Sequence, residues 1–172
     1  STVQADGGTE VATRAILEIS GIGRIRLSSI EANEISPDLL DLMTSDERLC
    51  PHLHIPLQSG DDAVLKAMRR RYNVRQYLRT IEHVRSRIPD IALTTDVIVG
   101  FPGETERQFE QTLDLCRSVG FSRIHIFPYS PREGTDAASL RETVPPGEKK
   151  RRMKRLEALA ASEPDPRPAA LP

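Results

Sequence analysis

Tryptophan is absent, and the chain has only three tyrosines and four phenylalanines. That scarcity argues against a platform that grips single-stranded nucleic acid by stacking bases on aromatic rings. Cysteine is scarce too. Cys50 and Cys116 are the only two, far apart and in no ligand-like spacing, so the plain expectation is a reduced cytoplasmic protein with two ordinary thiols. Neither sign of charge dominates: Lys+Arg 24 nearly balances Asp+Glu 25. Any contact with nucleic acid must therefore come from a local patch rather than a global basic field. No apolar run is long enough to span a membrane, and no signal-peptide pattern is present.

What is present is enough chain, 172 residues, for one domain with a real core. His52 to Gly60 is the organising stretch. Leu53, Ile55 and Leu57 take one side of an extended strand, and His52, His54, Pro56 and Gln58 take the other. Ser59 and Gly60 turn the chain, and Asp61 and Asp62 open a helix, where carboxylates suit the positive end of the dipole. A polar residue thus sits at the carboxyl end of a strand that leads into a helix, which is where α/β proteins bind ligands.

The same unit recurs. Helical spacing of Val11, Ala15, Ile16 and Ile19 precedes a strand over Ile25 to Ile30. Ser36 caps a helix with Pro37 at its first position, and Asn73 breaks the chain before a helix with Val74, Leu78, Ile81, Val84 and Ile88 as its apolar stripe. Residues Ile91 to Val99 form the clearest strand; Thr105 with Gln108 caps the helix after it, Gly120 ends that helix, and Arg123 to Tyr129 is the last strand. Four strands alternating with helices imply a parallel sheet. Each strand keeps one aliphatic side and one side bearing polar groups, which suits the wall of a partial (β/α) barrel holding a polar ligand on its inner face. The expected organisation is a loose start over 1–8, the partial barrel over 9–148, a basic helix over 149–161 and a Pro- and Ala-rich disordered tail over 162–172.

Asp96 is the sharpest candidate, because a carboxylate in a buried strand is costly unless bonded, and it can accept two hydroxyl hydrogens as on a ribose. The plainer alternative is a structural pair with Arg26 or Thr94. Gln58 stands at a strand end, Glu31 falls just past one, and of Arg69, Arg70 and Arg71 at most one can point back to the strand ends as a carboxylate fork. His52, His54 and His125 share the inner face with Asp96, which opens a rival reading as a metal-dependent hydrolase. The run Gly100 to Thr105 lacks the lysine and glycine spacing of either nucleotide-binding loop. The cluster Lys149 to Arg155 is either a solvated helix face or a contact for RNA phosphates.

Four strings carry the reading further: Arg24 to Glu31, His52 to Gly60, Thr94 to Thr105, and Phe127 to Thr135. Taken in order, they resemble the radical S-adenosylmethionine methylthiotransferases, most closely the branch that acts on threonylcarbamoyladenosine in tRNA. The resemblance runs from about Ile16 to Leu159 and implies the last four strands and helices of a (β/α)₆ radical core. It implies S-adenosylmethionine as cofactor, with Gln58 and Arg70 on the methionine carboxylate, Glu31 on its amino group, Asp96 on the ribose, and Phe127 and Tyr129 near the adenine. It also implies a 4Fe–4S cluster held by a three-cysteine loop, whose ligands this chain lacks, so a cluster-binding N-terminal portion and tRNA are the expected partners. On this reading the piece is inactive alone. The other class of reading is a non-catalytic remnant or RNA-contact module.

Overall fold

The computed structural model describes residues 8–131 and 144–162. Strands β1 (Ile25–Leu27), β2 (Leu49–His54), β3 (Ala92–Val99) and β4 (Arg123–Pro128) form one sheet in chain order, all parallel. Helices α1 (Gly8–Leu17), α2 (Pro37–Ser45), α3 (Asp62–Ala67), α4 (Val74–Arg87), α5 (Glu106–Val119) and α6 (Pro146–Ser162) flank it, with a 3₁₀ turn at Ala32–Glu34. This is the expected partial barrel of βα units. The expected start and tail lie largely outside the described residues.

The caps act where the residue types predict. Ser36 accepts from the Leu39 N–H, and Asn73 with Gln76, like Thr105 with Gln108, closes a reciprocal box at a helix start. Gly120 ends α5 in the left-handed conformation that a side chain disfavours. The helices bury Leu39, Leu40, Tyr77, Ile81, Val84, Phe109 and Leu113 against the aliphatic side of the sheet, where Leu53, Leu93, Val97 and Val99 are fully covered.

The strand expected to run straight through His52 to Gln58 is interrupted. β2 stops at His54 because Pro56 has no N–H to continue the ladder. The next backbone groups are satisfied by side chains instead. The Leu57 N–H donates to Thr95 Oγ1, and that hydroxyl donates to the Ile55 carbonyl. Tyr77 donates to the same carbonyl, and Tyr72 donates to the carbonyls of Pro56 and Leu57. Pairing resumes at Gln58, whose N–H donates to the Asp96 carbonyl and whose carbonyl accepts from Ile98. The detour carries Gln58 to the carboxyl edge of the sheet, beyond Asp96.

Helix α6 packs back on the sheet and on α5. Part of its basic cluster turns inward, while the rest keeps the solvated face that the sequence allows. Arg152 is buried and donates to Glu104, Glu106 and Glu148; Arg155 is held by Glu106 and Glu110, and both guanidinium groups lie over the Phe109 ring. Arg151 pairs with Glu148, and Lys149 runs beneath Gly100 to reach the Tyr129 carbonyl. Lys150 and Lys154 remain exposed. Glu104, Glu106 and Glu110, on α5 and its N-terminal approach, supply partners that local sequence could not reveal.

Candidate functional site

The polar side of the sheet is set by register. His54 pairs with Thr94, Asp96 with His125, and Ile98 with Phe127, so alternation puts all six on one face. Asp96 is not held by Arg26 or Thr94. Its Oδ2 lies 3.2 Å from His54 Nε2, while His54 Nδ1 is 3.0 Å from Thr94 Oγ1 and that hydroxyl is 3.2 Å from His52 Nε2. Burial, with Arg26 and His54 as nearby positive groups, pushes His52 below its ordinary range. His125 meets His54 edge to face at 5.6 Å between ring centres.

Glu31 and Arg70 come together although 39 residues separate them in the chain, with Nη1 and Oε1 3.7 Å apart and Arg70 Nε buried without a partner. Two connections bring this about. The Ile30 N–H donates to the His54 carbonyl and fixes the chain just before Glu31 against the end of β2. The chain after α3 folds back on itself, the Arg70 N–H donating to the Leu65 carbonyl, and buried Tyr72 anchors it to the β2 edge. Arg70 therefore lies just past the end of α3.

Among the described residues, three non-glycine positions have left-handed backbones: Ser29 (φ 58°), Gln58 (φ 67°) and Arg69 (φ 57°). One of them is a candidate residue, and the other two lie within two residues of Glu31 or next to Arg70. Such conformations cost about 1–3 kcal/mol each and gather where a site demands a particular direction of the chain. Gln58 is buried, and its carboxamide makes no hydrogen bond among the described residues.

Phe127 is half exposed at the end of β4. Tyr129 follows it, its ring edge-on to Phe101 at 5.2 Å and under the Lys149 ammonium at 5.7 Å. Nothing in the residue pattern marks Thr95 as the hydroxyl that bridges the Pro56 gap, or Lys149 as a buried support for Tyr129. A threonine in a strand and a lysine in a basic run carry no distinguishing mark.

The hydrolase reading has no support. Among the described residues no three His, Cys, Asp or Glu side chains group to hold a metal ion. His52 and His54 instead direct nitrogens at Thr94. The thiols are on separate elements, and burial raises the Cys116 thiol to about 12.

The architecture is thus a segment of parallel α/β barrel, with Asp96 and the histidines on one face of its sheet and Glu31, Gln58 and Arg70 past the carboxyl ends of the strands, the place where such proteins hold a ligand. A profile described as the radical SAM superfamily matches residues 1–116, and the chain belongs to that superfamily. It is 45% identical over 147 residues to a threonylcarbamoyladenosine tRNA methylthiotransferase of Thermotoga maritima, covering 86% of this chain and 34% of that protein. It is 49% identical over 146 residues to a tRNA-2-methylthio-N(6)-dimethylallyladenosine synthase of Mycobacterium marinum, covering 85% of this chain and 28% of that protein. The chain thus spans about a third of the length of these relatives. The solved structure of coproporphyrinogen III oxidase from Escherichia coli, a radical SAM enzyme, has the same fold with a TM-score of 0.66 at 19% identity, covering 81% of this chain and 32% of that one.

Proposed function

We propose that this chain is the S-adenosylmethionine-binding part of the radical core of a tRNA methylthiotransferase. The supporting observation is the Glu31–Arg70 pair at the strand ends, with an unpartnered Arg70 nitrogen beside it. A loose pair of opposite charges matches an amino-acid zwitterion: Glu31 takes the ammonium group, while Arg70 and the Gln58 carboxamide take the carboxylate. Asp96, on the polar face, takes the vicinal hydroxyls of the ribose. Phe127 and Tyr129, past the end of the same face, offer an apolar seat for the adenine.

The residues present fit S-adenosylmethionine but not an iron–sulfur cluster. Such a cluster takes three thiolates in the radical SAM motif, and the whole chain has two cysteines on unrelated elements. When bound by a cluster, S-adenosylmethionine supplies the radical; this chain binds and orients it. On this reading the chain acts only together with a cluster-bearing portion, in the cytoplasm, on an adenosine of tRNA. The threonylcarbamoyl form is our first choice of substrate, from the resemblance carried by the four sequence strings together. The identities to relatives of both substrate types favour neither.

The test is to join the chain to the cluster-bearing first half of a methylthiotransferase barrel, reconstitute it anaerobically, and supply tRNA bearing either modified adenosine. Mass spectrometry should find the methylthio product from threonylcarbamoyl tRNA. Product from neither tRNA, with the cluster formed, would overturn the proposal. Asp96→Ala should weaken S-adenosylmethionine binding by about tenfold or more, and by more than Thr94→Ala does. Equal losses would count against the ribose role.

A further inference from the structure

A carboxylate at the end of an Asp side chain turns on a broad, two-fold torsion, so its oxygens have no fixed aim unless something holds them. Here something does. Asp96 Oδ2 is 3.2 Å from His54 Nε2, an ion-pair contact in which only the imidazole has a hydrogen to offer, since a carboxylate only accepts. An imidazole held at one nitrogen can still pivot. His54 is held at both, because Nδ1 lies 3.0 Å from Thr94 Oγ1. A hydroxyl can give or take, so it matches Nδ1 with or without a hydrogen. Thr94 is in turn fixed by His52 Nε2 at 3.2 Å, and the edge of the His125 ring closes the open side of His54. His52 and Thr94 are each 8% exposed, so water competes little for these bonds.

We propose that His54 is a positioning residue for the ligand's ribose: clamped by Thr94 and His52, it pins one oxygen of Asp96 and so aims the other at a pair of vicinal hydroxyls. The inference rests on the ribose reading of Asp96 given above. It assigns a purpose to the His-x-His pair that the metal reading left unexplained. An anchored acceptor binds more tightly than a swinging one because less side-chain freedom is lost on binding. It also discriminates better, since its free oxygen cannot follow a ligand that lacks one hydroxyl.

The probe is S-adenosylhomocysteine, with its 2′-deoxy analogue as the second arm, titrated into the full chain by ligand-observed NMR, which reads millimolar affinities. Asp96→Asn should weaken S-adenosylhomocysteine by about tenfold and His54→Phe by about fivefold. His54→Gln, whose Nε2 can donate from nearly the same place, should stay within about twofold of the unaltered chain. Adding His54→Phe to Asp96→Asn should cost nothing further, because the histidine acts through the carboxylate. The unaltered chain should prefer the ribose ligand over the deoxy one, and His54→Phe should blunt that preference. Should His54→Phe fail to fold, Thr94→Val carries the test with the same blunted preference. Unchanged affinity and preference in the folded His54 or Thr94 variants, with Asp96→Asn still weak, would overturn the positioning role and leave the ribose reading standing. No effect of Asp96→Asn, or no binding by the unaltered chain, would overturn both.

Discussion

Gly60 has no room for a methyl group. A Cβ there would lie 2.5 Å from Thr112 Cα and 2.9 Å from Gln111 O, both backbone atoms that cannot swing aside. The Gly60 N–H donates to Thr112 Oγ1 at 2.8 Å, so the turn after Gln58 rests directly on α5. Gly60→Ala should destabilise the chain by about 3 kcal/mol, read as a lower urea midpoint with an unchanged slope. Because the displaced turn carries Gln58, the same variant should also weaken S-adenosylhomocysteine binding. A stable variant would show that α5 can retreat. Residue identity made Gly60 a turn candidate; only the packing of α5 makes it a position where nothing larger fits.

At the scale of elements, α6 buries Leu156 and Leu159 in the core and is also joined to α5 and its N-terminal approach by charge. Glu104 is buried against Arg152 at 2.9 Å and also accepts from the Gly100 N–H at 2.8 Å. Burial nevertheless raises its carboxyl above the ordinary range, and those two partners only partly offset the rise. The sign follows. A carboxyl whose folded pKa exceeds its unfolded one favours the folded state below the unfolded value, and that contribution is lost as pH rises through the folded one. Glu104→Gln should therefore gain stability relative to the parent chain as pH rises from about 4 to 7, in parallel urea titrations. A gap that moves the other way would mean that the ion pair outweighs its desolvation. Removing the cation is a different matter: Arg152→Ala leaves a buried carboxylate alone and should cost about 3–5 kcal/mol in the same assay.

Across the whole molecule, β1 and β4 are the outer strands of the described sheet, and α1 with the turn after it leaves Val11, Ile16 and Ile19 exposed. The chain matches about a third of each relative. Anaerobic reconstitution of the chain with iron and sulfide should give no cysteine-ligated 4Fe–4S spectrum, because two cysteines on β2 and α5 cannot close a three-thiolate site. Appearance of that spectrum would show that thiols from separate chains had been recruited. Among the described residues no helix is long and apolar enough to cross a membrane.

The order of strands and helices, their caps and the split of each strand into an aliphatic and a polar side were determined by the sequence alone, because these depend on periodicity and on interactions within four residues. The family, too, was legible in four strings of residues. Tertiary structure decided the rest. It put Arg70 beside Glu31, turned Gln58 into a left-handed backbone past a proline gap bridged by Thr95, and gave Asp96 a histidine as its partner. It also turned part of a basic run inward upon the acids of α5. Each of these joins groups tens of residues apart, and a carboxylate or guanidinium shows its partner only when the chain has closed around it.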